Sequence, residues 1–181
     1  ILYSAEITVS GGGKQYDKIT LPFGIRTIAA SAEKGFLLNG RSVKLKGACI
    51  HHDNGLLGAA AIDRAEERKV ELLKANGYNA VRCAHNQVSE HFLDACDKQG
   101  LLVIHETFDQ WQEAKRSDDY HQFFDEWSKK DLTASVRRDR NHPSIIMWSI
   151  GNEIAQRADS IGEVIAKSLV NVIHQYDTTR L

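Results

Sequence analysis

Tyr3, Ala5, Ile7 and Val9 alternate with Ser4, Glu6 and Thr8. That period of two predicts a half-buried antiparallel strand. Ser10-Gly11-Gly12-Gly13-Lys14 reads as a flexible turn. A second strand is expected through Ile19, Leu21 and Phe23 to Ile28, with Pro22 marking an edge or a bulge. The pair reads as the last hairpin of an all-β domain, with a boundary over Ala29 to Lys34. Asn39-Gly40, between short apolar runs, is a strong hairpin signal, because both central residues must take positive φ.

From Val43 the rhythm changes. Val43 to Ile50 reads as a strand. Ile62 to Asn76 reads as a helix stopped by Gly77, with Asp63 and Glu66 spaced as a capping box. Ala80 to Cys83 is a short strand, Ser89 to Gln99 a helix ended by Gly100, and Leu101 to Glu106 a strand. Phe123 to about Arg138 is a helix with Phe124, Trp127, Leu132 and Val136 on one side, and Pro143 blocks its continuation. Ile145 to Ile150 is an apolar run of strand length that halts at Gly151-Asn152-Glu153. Ser160 and Glu163 are expected to cap a last helix, with Ile161, Val164, Ile165, Leu169, Val172 and Ile173 at helical spacing. Four consecutive strand–helix units imply a parallel sheet with right-handed crossovers. The fold class is α/β, either an open doubly wound sheet or half of a (β/α)8 barrel. The first strand exits through Cys49-Ile50-His51-His52-Asp53, with no glycine-rich phosphate loop, which argues against a dinucleotide fold.

At 181 residues there is room for one domain, or one and a part. A net charge of −1 leaves no electrostatic footprint for nucleic acid or an anionic membrane. No apolar run approaches the roughly 20 residues of a membrane helix. The chain opens Ile1-Leu2-Tyr3, with neither initiator Met nor signal peptide, and is expected to be an internal piece of a longer protein of open compartment. Cys49, Cys83 and Cys96 form no CxxC pair and are expected to be buried small hydrophobes.

All four strands of the second part end in polar or titratable groups: His51, His52 and Asp53; Arg82 and His85; His105 and Glu106; Asn152 and Glu153. One such end is an ordinary solvated loop residue. Four on the C-terminal rim, where barrels gather their chemistry, point to a site. Zinc is the first alternative, since His and carboxylates from several strands can hold it. Paired ligands on one strand should stand at i and i+2, whereas His51 and His52 are adjacent. Nucleophilic Ser or Cys chemistry has no GxSxG elbow behind it. His91, His121 and His174 fall away from the rim, and Trp127 and Trp148 read as core. Trp111, in the loop after the third strand, is the aromatic placed to meet a sugar ring.

Several blocks resemble glycoside hydrolase family 2 enzymes of the β-galactosidase type. They are Phe23-Gly24-Ile25-Arg26, Phe36-Leu37-Leu38-Asn39-Gly40, Lys46-Gly47 leading to His51-His52-Asp53, Asn79-Ala80-Val81-Arg82-Cys83-Ala84-His85, and Asp139-Arg140-Asn141-His142-Pro143-Ser144 running into Trp148-Ser149-Ile150-Gly151-Asn152-Glu153. They cover nearly the whole chain in the family's order. The resemblance implies a jelly roll, an immunoglobulin-like sandwich and then a (β/α)8 barrel. Residues 1–30 would be the last strands of the sandwich, and residues 31–181 the first half of the barrel.

The resemblance also implies roles. Glu153 matches the general acid/base, and Asn152 the residue that binds the sugar 2-hydroxyl. His51 and His85 match contacts in the glycone subsite, and Arg82 an arginine beside the nucleophile. Asp53, Glu106 and Trp111 are expected to bind substrate with them. A retaining glycosidase also needs a second carboxylate about 5 Å from the acid. The family's nucleophile, a Glu on a later strand, lies beyond Leu181. The usual proline after the second-strand histidine is replaced in His85-Asn86-Gln87, and the usual Asp-Glu of the third strand is His105-Glu106. The Glu and His with which some β-galactosidases hold a divalent metal fall on Gln110 and about Gln112, so neither metal nor cofactor is expected. The expected function is hydrolysis of terminal β-galactosides. Alternatives are a β-glucuronidase or other family 2 β-glycosidase, and a catalytically dead carbohydrate-binding barrel. Expected partners are a carbohydrate and either a second copy or the other barrel half, with no nucleic acid and no membrane. Residues 1–181 alone are expected to be inactive.

Overall fold

A computed structural model describes all 181 residues. β1 (Tyr3–Gly11) and β2 (Lys14–Phe23) form an antiparallel hairpin with Tyr3 opposite Phe23 and Ile7 opposite Ile19. Its faces are largely exposed, Ile7 and Val9 included, rather than half-buried as expected. β2 does not run on to Ile28. Instead β3 (Ile28–Ser31), β4 (Gly35–Leu38) and β5 (Arg41–Ser42) form a second antiparallel sheet, so the segment expected as a boundary is itself a hairpin. The Asn-Gly turn forms as expected: Asn39 (φ 52°) and Gly40 (φ 74°) lie between the paired Leu38 and Arg41.

β6 (Gly47–Ile50), β7 (Ala80–Cys83), β8 (Leu102–Glu106) and β9 (Ile145–Ser149) then pair in that order, all parallel. α1 (Asp63–Ala75), α2 (Glu90–Gln99) and α3 (His121–Asp139) connect them, and α4 (Ser160–Tyr176) follows β9. This order decides between the two architectures. A doubly wound sheet reverses its strand order at a switch point and carries helices on both faces. Sequential order with one hand of crossover keeps every helix on one face, as in a barrel. Val81, Cys83, Val103, His105 and Trp148 are buried with the helices' apolar residues. Arg82, Ile104 and Met147, on the opposite face, are only half-buried, and Cys49 beside them is exposed rather than buried as expected. β6 starts at Gly47, where an added Cβ would lie 2.8 Å from the Ala80 carbonyl oxygen; only glycine lets the strands close there. The preceding residues are held by Asn79, which accepts the Lys46 N–H (2.7 Å) and donates to the Lys44 carbonyl (3.0 Å).

Helix ends follow side-chain chemistry. Ser89 caps α2 by accepting the Phe92 N–H at 3.2 Å, and Gly100 ends it at φ 70°. α1 has no side-chain cap, because the apolar Ile62 and not Asp63 sits at its N-cap; Glu66 instead accepts from Asn54 Nδ2 at 2.6 Å. α4 is capped by Asp159, whose carboxylate accepts the Gly162 N–H at 2.7 Å, one residue before the expected Ser160. On α3, Phe124, Leu132 and Val136 are buried, but Trp127 is 43% exposed, with the Lys130 ammonium 4.3 Å from its ring centre.

The Asp139–Ser144 block ties down the entry end of the sheet. Asp139 Oδ1 accepts Arg138 Nε at 2.6 Å, and its Oδ2 lies 3.1 Å from His105 Nε2. Burial alone would raise the Asp139 carboxyl, but His105 and Arg138 hold it below the usual range. His142 Nδ1 sits 2.7 Å from Asp97, which also accepts the Ser144 N–H at 2.8 Å. Pro143 presses on Gly24, where a Cβ would come within 2.5 Å of its ring. Arg26 donates to the Pro143 and Ile145 carbonyls, and Arg180 reaches Ile145 as well, at 2.8 Å. Burial and the neighbouring Arg180 lower the Arg26 pKa to about 10.

β6 and β9 are the outer strands of the parallel sheet. On the far edge of β9, the Trp148 N–H donates to the Leu181 carbonyl at 3.0 Å. Open edges beside a half-exposed face invite pairing. Residues 1–181 prepared alone are therefore expected to associate in sedimentation velocity; a monodisperse monomer would contradict this.

Candidate active site

Parallel register stacks side chains of successive strands. Cys49, Arg82, Ile104 and Met147 align across the sheet. One step nearer the rim, Glu106 aligns with Ser149. A register shift after Val103 produces this pairing, because β9 runs from Ile145 to Met147 while β8 advances one residue. Were Ile146 paired one-to-one instead of bulged out of the ladder, Trp148 would stand opposite Glu106.

Glu106 is only 1% exposed. Arg82 donates to its carboxylate from Nε (3.0 Å) and from Nη2 (2.8 and 2.9 Å). Ser149 Oγ donates to Oε2 at 2.6 Å, and His85 Nδ1 lies 2.7 Å from Oε1. A buried carboxylate needs such company, since an unpaired one is costly. Arg82 Nη2 also donates to Asn152 Oδ1 at 2.8 Å, which carries the network to the end of β9. The His51 ring meets His85 edge-on, with centroids 5.5 Å apart.

Asn152 is held at every polar atom. Its N–H donates to Phe108 O (3.0 Å), and its Nδ2 to Asp109 Oδ1 (2.9 Å). Its carbonyl accepts Lys115 Nζ at 2.9 Å, and Lys115 pairs with Asp109 at 2.7 Å. Burial would raise the Asp109 carboxyl, but the bonds from Lys115 and Asn152 hold it below the usual carboxylate range. Glu153 follows, exposed and at φ 44°, in the left-handed region. For a residue with a Cβ that region costs on the order of 1–3 kcal/mol. Gly151 permits the tight exit: a Cβ there would lie 2.8 Å from Ile154 and 2.9 Å from Trp111 Nε1.

Of the residues named from sequence, Arg82, His85, Glu106, Asn152 and His51 come together, and Glu153 stands next to Asn152. Glu106 is surrounded by protein partners: Arg82, His85 and Ser149 occupy its carboxylate. Trp111 is 5% exposed, with Nε1 donating to Ile150 O at 2.8 Å; it belongs to the core and offers no free face for a sugar. The Asp53 carboxylate accepts the Gly55 N–H at 2.8 Å in the loop after β6, and no hydrogen bond joins it to the network. Sequence reasoning missed Ser149, Asp109 and Lys115. Ser149 lay inside a quoted block; Asp109 and Lys115 lie in a loop with no periodicity to read.

At the two positions weighed from sequence as metal ligands, Gln110 is buried and Gln112 donates to Asp125 at 2.6 Å. Two neutral amides, with an ammonium already on Asp109, supply no free carboxylate charge, which makes a poor fit for a divalent cation. A cavity of about 610 Å³, lined in part by Asn86, Gln87, Thr107 and Asp131, includes none of the network residues.

Residues 30–181 match the model of the glycosyl hydrolases family 2 TIM barrel domain. The chain belongs to glycoside hydrolase family 2. It is 44% identical over 173 residues to β-galactosidase BoGH2A of Bacteroides ovatus, covering 95% of this chain and 20% of that protein. It is 44% identical over 165 residues to a putative β-glucuronidase of Formosa agariphila, covering 91% of this chain and 16% of that one. A crystal structure of a glycosyl hydrolase family 2 member from Bacteroides cellulosilyticus matches with a TM-score of 0.95 and 54% identity, over 99% of this chain and 23% of that chain. The chain thus spans about a fifth of the length of these relatives. The family and the half-barrel fold expected from sequence are both borne out.

For the complete protein this geometry makes three outcomes expected. Glu106→Gln leaves Arg82 without its anionic partner and should cost on the order of 2–4 kcal/mol in denaturant unfolding, somewhat less than a fully buried pair, because Arg82 is 32% exposed. His85→Ala removes one of several partners of the buried carboxylate and should cost less, about 1–2 kcal/mol; a loss equal to that of Glu106→Gln would make His85 a core residue. Added Mg²⁺ or Mn²⁺ should leave the melting temperature unchanged, and a saturable rise would show that the glutamines do not exclude a metal.

Proposed function

We propose that this chain carries the acid/base half of a retaining β-glycosidase that removes terminal β-galactosides. The carrying observation is the exposed Glu153 carboxylate at the C-terminal rim, following an asparagine held by Arg82, Asp109 and Lys115. Glu153 protonates the glycosidic oxygen as the leaving group departs, then takes a proton from the attacking water. The nucleophile is a carboxylate of another barrel strand, about 5 Å from Glu153. Asn152 keeps one amide hydrogen for the sugar 2-hydroxyl, since Asp109 takes only the other. His51 and His85 line the glycone subsite, with Arg82 beside the nucleophile. Residues 1–30 close an immunoglobulin-like sandwich, and residues 31–181 open the barrel. The other barrel half or a second copy is the protein partner.

Relatives named for galactosides and for glucuronides are equally identical to this chain. Nitrophenyl β-galactoside should be hydrolysed faster than the glucuronide by the complete protein; the reverse would transfer the reading to β-glucuronidase. Binding without hydrolysis of any glycoside would make it a carbohydrate-binding barrel. Glu153→Gln should lower kcat/KM by roughly 10²–10⁴-fold on glycosides with poor leaving groups. Activated aryl glycosides, which need little protonation, should lose far less. Equal losses on both would remove Glu153 from the acid/base role.

A further inference from the structure

We propose that Lys115 is a positioning residue for the acid/base: through the Asn152 carbonyl it fixes the turn that presents Glu153. The inference rests on the acid/base reading of Glu153 and extends it to a loop that sequence reasoning left without a role.

The contact falls on an informative atom. The Asn152 carbonyl belongs to the peptide group whose nitrogen is that of Glu153. Lys115 Nζ, 2.9 Å from that oxygen, sets the tilt of this peptide plane. Glu153 leaves the plane at φ 44°, a conformation that persists only where surrounding contacts impose it. A charge-assisted hydrogen bond is the kind of contact that can do so. Asp109 completes the clasp: one of its oxygens accepts both Lys115 Nζ (2.7 Å) and the Asn152 side-chain amide (2.9 Å). The main chain and side chain of Asn152 are therefore gripped by one ion pair.

The loop that presents Lys115 is itself pinned at both ends. Toward β8, Trp111 is buried and bonded to the Ile150 carbonyl at 2.8 Å. Toward α3, Asp119 Oδ2 accepts the backbone N–H groups of Lys115 (2.8 Å) and Arg116 (2.7 Å), and its Oδ1 accepts that of His121 (3.0 Å). Although some desolvation opposes it, these bonds hold the Asp119 carboxyl far below the usual range. Lys115 thus reaches the β9 exit from a fixed platform, with only 29% of its side chain exposed.

A misplaced acid hurts substrates that need a proton most. In the complete protein, Lys115→Met keeps the aliphatic stem and removes the ammonium. Its kcat on a poor-leaving-group glycoside should fall by about 10–100-fold, the scale of a modest misplacement of a catalytic group. On an activated aryl glycoside the loss should be a few-fold, with KM little changed on either. Lys115→Arg should recover much of the loss. Equal losses on the two substrates, or none, would overturn the proposal while Glu153→Gln, measured alongside, still shows the selective loss. If Glu153→Gln is itself unselective, the acid/base reading fails and this proposal with it. Should Lys115→Met not fold, Lys115→Gln carries the same comparison.

Discussion

A carboxylate inside the mouth of a parallel sheet must be met by donors or it destabilises the fold. Glu106 is met by three side chains from three segments: Arg82 from β7, His85 just after it, and Ser149 from β9. The guanidinium is the decisive partner. Its planar fork engages both carboxylate oxygens and still has an N–H for Asn152. One group thereby satisfies a buried charge and sets the direction of the residue before Glu153. The geometry of the rim and the stability of the sheet draw on the same bonds.

The two ends of the sheet are built differently. At the entry end, arginines grip backbone carbonyls, Asp97 holds His142 and the Ser144 N–H, and Pro143 presses on Gly24. Those contacts tie strands to loops. At the exit end, Glu106 is closed off but Glu153 is left exposed. The Asp139–Ser144 block belongs to the first end, where its contacts hold strands, helix α3 and the leading β segment together.

The βα rhythm was legible because it is written in burial. Ala80–Cys83, with its apolar residues enclosed, matched its expected bounds, and Ile145–Ser149 came within one residue. Rim residues were legible for the complementary reason: a polar group ending an apolar run has to be explained. Their division of labour was not. Whether the Glu106 carboxylate meets a sugar or an arginine depends on which side chain stands beside it on the next strand. That is set by register and by the single extra residue at Ile146, neither of which has a local signature. Trp111 was misplaced because an aromatic in a loop reads alike whether the loop folds outward or inward. Lys115 and Asp109 were invisible because their meeting depends on how Asp119 folds their loop. Trp127 fell on the wrong side because aromatic character outweighed the option of sitting exposed under a lysine.

The seam between the leading β segment and the sheet bears on how such a chain can be reshuffled in evolution. Gly24 accepts Pro143 only because it lacks a Cβ, and Arg26 supplies a donor to the Pro143 carbonyl from 117 residues away. A recombination event that joined a foreign β segment ahead of residue 28 would have to bring both a glycine and an arginine at that spacing. Otherwise the newcomer would collide with the proline ring and leave its carbonyl without that donor. The crossover point is therefore a poor one. A lineage of such proteins should inherit the leading segment and the barrel half as one piece, and diversify in the loops at the other end.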